Sequence, residues 1–190
     1  MKKLFFLFFG FFLVLNQAAA QCEIAIDEVD EFDSTRVVTA PLVSFGYLIP
    51  SQYETSEGSL MVAEAQMLFS YSEKDSIKSF FMTIAIPEFK FQAIETGFNV
   101  LIKLSSGEVI SLYNVMEKGF FDKRINMRVY QHTCIIPFDL YFELTEATIE
   151  KVRIIYPKQK RTLLLSEQQQ KAIQDAMRCV GNAIGYYPRP

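Results

Sequence analysis

The sequence contains no tryptophan and a single histidine, and both shortages limit the chemistry open to it. A serine triad needs an imidazole base, so it would have to be built on His132 alone. Enzymes that cleave sugars usually stack them on tryptophan, which is missing here. The eight glycines form no G-x-G-x-x-G or P-loop arrangement, and no G-x-S-x-G elbow occurs. These absences predict a protein that is not an enzyme and that holds no cofactor.

A long apolar run is found only near the start of the chain, where it has the form of an export signal. Lys2 and Lys3 precede the apolar residues 4–15, and the small residues 18–20 offer a cleavage site before Gln21. The run is shorter than the roughly 20 apolar residues that a membrane-spanning helix needs, so the mature protein is predicted to be periplasmic or secreted, with no transmembrane span. The predicted divisions are a signal peptide (1–20), a single β-rich domain (21–181) and a flexible tail (182–190).

Positive charge is scarce once that signal is removed. The mature chain then has 17 basic and 22 acidic residues, a net charge of −5. Nucleic-acid binding depends on concentrated positive charge, so nucleic acid is not an expected partner. An envelope protein or a glycan is expected instead.

Apolar side chains recur at every second position through most of the domain, as in 61–69 and 80–86. Phe98, Val100, Ile102 and Leu104 do the same and are predicted to share an inward face. This period of two is typical of half-buried β-strands. Ser105-Ser106-Gly107-Glu108 then suits a tight turn. The further predictions are a hairpin (97–115), an edge strand (42–49) and strands (125–129, 138–144 and 152–156).

One helix is predicted near the C-terminus. Ser166 and Gln169 match a capping box, and Gly181 is well placed to end the helix. The apolar stripe of this helix needs a surface to cover. We therefore predict a mainly β (α+β) fold of eight to ten strands: an antiparallel β-sandwich or curved sheet with one C-terminal helix packed on it. A barrel around a small apolar ligand is a third interpretation. The helical stripe consists of Ala172, Ile173, Ala176, Met177 and Val180.

Three cysteines remain in the mature chain, and an exported protein meets an oxidising compartment. Cys134 and Cys179 form the natural disulfide pair, which would join a late strand to the last helix. The alternative is two separate buried thiols that act as small apolar groups. Cys22 raises a further alternative to simple cleavage before Gln21, which is attachment of a lipid at its thiol.

Two clusters are candidates for metal or thiol chemistry. Five acids lie within residues 27–33, but their spacing does not match a calcium loop, so we interpret them as a solvated strand end. His132 and Cys134 would share one face of a strand. Structural zinc needs four ligands, and no second pair exists, so no metal site is predicted. We interpret His132 as a surface or half-buried strand residue.

Basic residues gather around the last predicted strand, the turn after it and the start of the helix. They could meet an anionic surface such as a lipid headgroup or an acidic glycan. The alternative is a charged turn that stays in solvent. The members of this patch are Lys151, Arg153, Lys158, Lys160, Arg161 and Lys171.

Several short motifs extend this interpretation. Leu144-Thr145 ends one predicted strand, Cys179-Val180 ends the helix, and Asp30-Glu31-Phe32 opens the domain. In these motifs the chain resembles a loosely defined group of secreted bacterial proteins of unassigned function. The resemblance implies a sheet with a terminal helix in the bacterial envelope, and it carries no catalytic residues.

The functional hypothesis is therefore an exported, non-catalytic envelope module that binds a protein, glycan or apolar ligand through its sheet. The alternative is a small periplasmic hydrolase whose carboxylates come from separate strands.

Overall fold

The computed structural model describes residues 22–115, 117 and 119–186, so the predicted signal peptide lies outside the described residues. Within them the chain forms eleven strands and two helices. In chain order these are β1 (Ile26–Val29), β2 (Arg36–Thr39), β3 (Val43–Thr55), β4 (Gly58–Lys74), β5 (Ile77–Glu88), β6 (Gly97–Leu104), β7 (Val109–Val115), β8 (Phe120–Asp122), β9 (Met127–Ile136), α1 (Phe138–Glu146), β10 (Ile149–Ile155), β11 (Lys160–Leu164) and α2 (Glu167–Ala183).

All eleven strands belong to one antiparallel sheet. Its order is β1-β2-β4-β5-β9-β7-β6-β10-β11, with β3 paired to β4 and β8 paired to β9 beside this path. The prediction of a mainly β fold with a C-terminal helix on an antiparallel sheet is confirmed. The predicted hairpin is also confirmed as β6 and β7, with Gly107 at a φ of 93° in the turn.

The sheet is strongly curled. Arg161 on β11 contacts Glu64 on β4 with its guanidinium nitrogen 3.2 Å from the carboxylate oxygen. In the sheet order these strands stand six steps apart, which would separate them by roughly 29 Å in a flat sheet. The strand path is open, but the sheet bends until its last strand, β11, contacts β4 through side chains.

The inside of this curl is filled by one apolar core. Each of strands β2 to β7 and β9 to β11 contributes to it, together with both helices. We call the side of the sheet that faces this core the core face, and the other side the outer face. Phe80 lies in the core with its ring 4.1 Å from that of Tyr141, centre to centre. Because side chains fill the interior, the interpretation as a ligand-holding barrel is wrong.

The segment predicted as the strand 138–144 is helix α1, and that prediction is wrong. Phe138, Leu140, Phe142 and Leu144 alternate, but Phe138, Tyr141 and Leu144 are also spaced by three residues. The segment therefore fits both periods, and the space beside Phe80 selects the helix. The structure has eleven strands instead of the predicted eight to ten, because short strands such as β2, β8 and β11 have only three to five residues, too few to show a clear alternation.

Helix α2 begins where the capping box predicts. The Ser166 hydroxyl accepts a hydrogen bond from the Gln169 amide, and the Gln169 side chain accepts one from the Ser166 amide. The helix ends at Ala183, after Gly181, so the predicted tail starts inside the helix. Tyr186 packs against Phe138, with ring centres 5.4 Å apart, and residues 187–190 of that tail lie outside the described residues.

The disulfide joins Cys22 to Cys179, not Cys134 to Cys179, and the predicted pairing is wrong. Val180, the next residue of α2, is buried in the core, whereas Cys179 is half-buried and lies beside Cys22, Pro41 and Val43. Cys134 is a free thiol buried at the centre of the sheet, which the Cys179 side chain does not approach. The Cys22 sulfur that a lipid anchor would use is occupied by the disulfide.

Candidate functional site

A groove opens where two neighbouring strands separate. β7 pairs with β9 only over residues 113–115, and its earlier residues pair with β6. β9 ends at Ile136, and Pro137 then starts α1 beside the gap. The resulting groove between β7 and α1 has a volume of about 550 Å³.

Its apolar lining includes two exposed aromatic rings. Phe98 is 68% exposed, and its ring lies edge-on to that of Tyr113 with centres 5.3 Å apart. Ile135 and Leu140 belong to the same lining, together with Ile110, Leu112 and Pro137. The inward orientation predicted for Phe98 is wrong, because a register shift at the start of β6 breaks the alternation that leads to Val100.

Three carboxylates surround this apolar surface. Glu108 directly precedes β7, while Asp139 and Glu143 lie four residues apart on α1 and therefore share one side of that helix. Burial raises the pKa of Glu143, and the neighbouring Glu108 raises it further. Two acids that oppose each other's ionisation form a site that a cation would stabilise. We call these residues, with Phe98, Tyr113, Ile135 and Leu140, the acidic groove.

A second polar arrangement lies inside the molecule. Arg161 donates from one guanidinium nitrogen to Glu88 at 2.9 Å and from the other to Glu64 at 3.2 Å. The Glu88 side chain is 5% exposed, and its burial raises its pKa although the Arg161 charge opposes that rise. Both carboxylates thus share one cation. The arrangement joins β11 to β4 and β5 across the curl of the sheet.

Tyr156 and His132 continue this network. A carboxylate can only accept, so the Tyr156 hydroxyl donates to Glu88 over 3.3 Å. His132 Nε2 then donates to Tyr156 over 3.2 Å, and His132 Nδ1 accepts from the Asn114 amide over 3.2 Å. These groups pair with one another, apart from the Asn114 side-chain oxygen, which is buried without a partner among the described residues, and none of them lines the acidic groove.

His132 is 1% exposed, so its interpretation as a surface or half-buried residue is wrong. Burial lowers the pKa of His132 to about 4 and raises the pKa of the Cys134 thiol to about 12. The imidazole is therefore neutral and the thiol protonated near pH 7, which does not suit a nucleophilic cysteine. Across the described part of the chain, no three His, Cys, Asp or Glu side chains converge as a metal site.

The structure divides the predicted basic patch. Arg161 turns inward to its two carboxylates, and Lys171 pairs with Asp175 at 3.2 Å. Lys151 and Arg153 lie exposed on β10, while Lys158 and Lys160 are exposed near the following turn. The six residues therefore do not form one continuous surface.

The acidic cluster at 27–33 contributes to the hairpin of β1 and β2. Asp27 pairs with Arg36 at 2.9 Å, and Asp33 pairs with Lys74 at 2.6 Å. Asp30 accepts from the Phe32 amide within the turn. These exposed acids fix local geometry.

Comparison with protein-family models, with curated proteins and with solved structures gives no match to this chain. The acidic groove is therefore identified by its geometry. The sequence does not predict the acidic groove, because the helix that brings Glu143 near Glu108 has the alternating pattern of a strand.

Proposed function

We propose that this protein is an exported, non-catalytic envelope module that binds an apolar ligand carrying a positive charge in the acidic groove. Three carboxylates around an exposed aromatic pair are the observation that supports this ligand class. An ammonium group attracts carboxylates and also the faces of aromatic rings. The apolar part of the ligand would cover Ile135 and Leu140, both of which line the groove.

Export is supported by two independent features. The disulfide between Cys22 and Cys179 is consistent with an oxidising compartment outside the cytoplasm. The resemblance to secreted bacterial proteins, a proposal in its own right, points to the bacterial envelope. Among the described residues, neither helix has the length and apolar character needed to cross a bilayer.

Binding of octyltrimethylammonium, measured by calorimetry, tests the proposed ligand class. We expect Glu143→Gln to raise the Kd of this cation about tenfold, because the loss of one close charge pair near the protein surface costs ~1.5 kcal/mol. Binding should also weaken as the pH falls. The weakening should begin at a higher pH than it would with an ordinary glutamate, because the pKa of Glu143 is raised. Glu54→Gln, at an exposed acid on β3, is the matched control.

Octanol carries the same eight-carbon alkyl group as this ligand but lacks its positive charge. It should bind at least tenfold more weakly than the cation and should be insensitive to Glu143→Gln. Equal affinities for octanol and the cation, or equal effects of Glu54→Gln and Glu143→Gln, would contradict the proposal.

The hydrolase alternative would use the same carboxylates, since a glutamate with a raised pKa suits a general acid. Turnover of p-nitrophenyl glycosides that disappears in Glu143→Gln would establish that alternative. Under the proposal of a binding module, we expect no turnover in either protein.

A further inference from the structure

A second surface lies at the opposite end of β9 from the acidic groove. There β5 ends at Glu88 beside Arg128, and β8 ends at Asp122 beside Met127. The ten residues of β9 separate this end from the groove by roughly 30 Å. The two surfaces therefore stand apart, and the inference below does not depend on the proposed function.

Four phenylalanines are exposed at this end of the sheet. Phe89 and Phe91 follow β5 and are 48% and 75% exposed, while Phe120 and Phe121 on β8 are 48% and 50% exposed. Single exposed apolar residues are common on proteins, but four large aromatic ones in two short segments that flank the same end of β9 indicate an interaction surface. We call these four residues the aromatic end.

The segments that carry these rings are held in place by the rest of the molecule. The Gln92 amide donates to the Tyr130 hydroxyl at 2.8 Å, and the Phe91 ring meets the Tyr130 ring with centres 6.3 Å apart. The Gln52 amide of β3 donates to the Ile125 carbonyl just after β8. The phenylalanines are thus presented by ordered backbone.

Positive charge accompanies the rings. Segments 89–91 and 120–124 contain Lys90, Lys123 and Arg124 but a single acid, Asp122, which pairs with Arg124 at 2.8 Å. Both lysines are exposed. This local excess of positive charge contrasts with a mature chain whose net charge is −5.

We propose that the aromatic end docks on an anionic lipid surface. Aromatic rings settle at the level of lipid headgroups, and nearby lysines are attracted to anionic ones. Exposed rings flanked by basic residues have the amphipathic character of peripheral membrane anchors. Each of the two ring-bearing segments also carries an exposed lysine, so the surface that covers them must combine apolar depth with negative charge at both places, as an anionic lipid surface does.

Co-sedimentation with lipid vesicles tests this proposal on the exported chain with its disulfide intact. We expect binding to vesicles of phosphatidylcholine and phosphatidylglycerol at 3:1, and much weaker binding to pure phosphatidylcholine. The double variant Lys90→Gln with Lys123→Gln should lose about 25-fold in affinity, because each lysine contributes about fivefold. Lys158→Gln with Lys160→Gln is the matched control and should change the affinity less than twofold.

The rings are tested separately from the charges. Phe91→Ser with Phe121→Ser should reduce vesicle binding at least tenfold, whereas Phe32→Ser, at a residue 99% exposed on another turn, should not. Unchanged circular dichroism would show that these surface variants remain folded. Failure of the wild type to bind either vesicle, equal binding to both, or equal losses in the control variants would overturn lipid docking.

Discussion

Burial has changed the chemistry of individual side chains in this protein more than their residue types suggest. His132 and Cys134 are neighbours on the core face of β9, where a reactive pair could in principle be built. The same burial that brings them together removes the charged forms that such a pair would need. Glu88 shows the contrasting case, because Arg161 and Tyr156 give it hydrogen bonds in the interior.

The neutral imidazole of His132 makes the stability of the protein depend on pH. Its pKa is about 4 in the folded protein and about 6.5 in the unfolded chain, so protons bind preferentially to the unfolded chain between these values. The free energy of unfolding should therefore fall by ~3 kcal/mol as the pH drops from 6.5 to 4. Urea denaturation at a series of pH values measures this loss.

His132→Gln is the control for this prediction, because its amide can accept and donate without titrating. This variant should lose the part of the pH dependence of the free energy of unfolding that His132 causes. Glu88 acts in the opposite direction, since its raised pKa makes protonation favour the fold, and that share should remain in the variant. A wild-type profile identical to that of the variant would contradict the assignment.

At the scale of elements, the two helices pack closely against each other at a glycine. Gly181 on α2 lies against Tyr141 on α1, and a Cβ at this glycine would overlap the Tyr141 hydroxyl and come within 2.8 Å of the Tyr186 carbonyl oxygen. The Tyr141 hydroxyl is buried without a hydrogen-bond partner among the described residues, and burial raises its pKa to about 12. The glycine is therefore required by the approach of α1.

Gly181→Ala should lower the free energy of unfolding by about 1–3 kcal/mol, because overlap in a packed core outweighs the better helix propensity of alanine. Tyr141→Phe should be neutral or slightly stabilising, since it removes an unpaired buried hydroxyl. In the double variant the cost of Gly181→Ala should shrink, because part of the overlap is gone. Thermal denaturation of the three variants measures this, and purely additive effects would contradict the contact.

At the scale of the whole molecule, the curl of the sheet is held by groups that are distant in the strand order. Arg161 joins β11 to β4 and β5, and the Gln169 side chain at the start of α2 donates to the Gly46 carbonyl of β3 at 3.1 Å. The disulfide links residues 157 positions apart and fixes the N-terminal segment to α2. These contacts hold the open sheet and α2 in place around the apolar core.

Arg161→Met should destabilise the protein by ~3–5 kcal/mol, because it leaves Glu88 and Glu64 together without their shared cation. Arg153→Met, at an exposed arginine on the neighbouring strand, should cost less than ~1 kcal/mol. Guanidinium denaturation compares the two. Similar losses in both variants would show that the inward ion pairs do not hold β11 against β4 and β5.

The fold class and much of the strand pattern followed from local rules. The hairpin of β6 and β7 was predictable because alternation and turn residues agree there, and the start of α2 because Ser166 and Gln169 satisfy free amides locally. Helix α1 was not predictable, because its residues fit two periods and packing against Phe80 decides between them. The acidic groove depends on α1 and was missed with it.

The sequence by itself determined a pleated, mainly antiparallel protein with a capped terminal helix, because side-chain period and capping are properties of neighbouring residues. Only the tertiary structure decided that Cys179 pairs with Cys22, that Arg161 turns inward, and that Phe98 faces outward. These outcomes depend on how far the sheet curls and where its register shifts. Such features are set by contacts between residues distant in the chain, which no local pattern records.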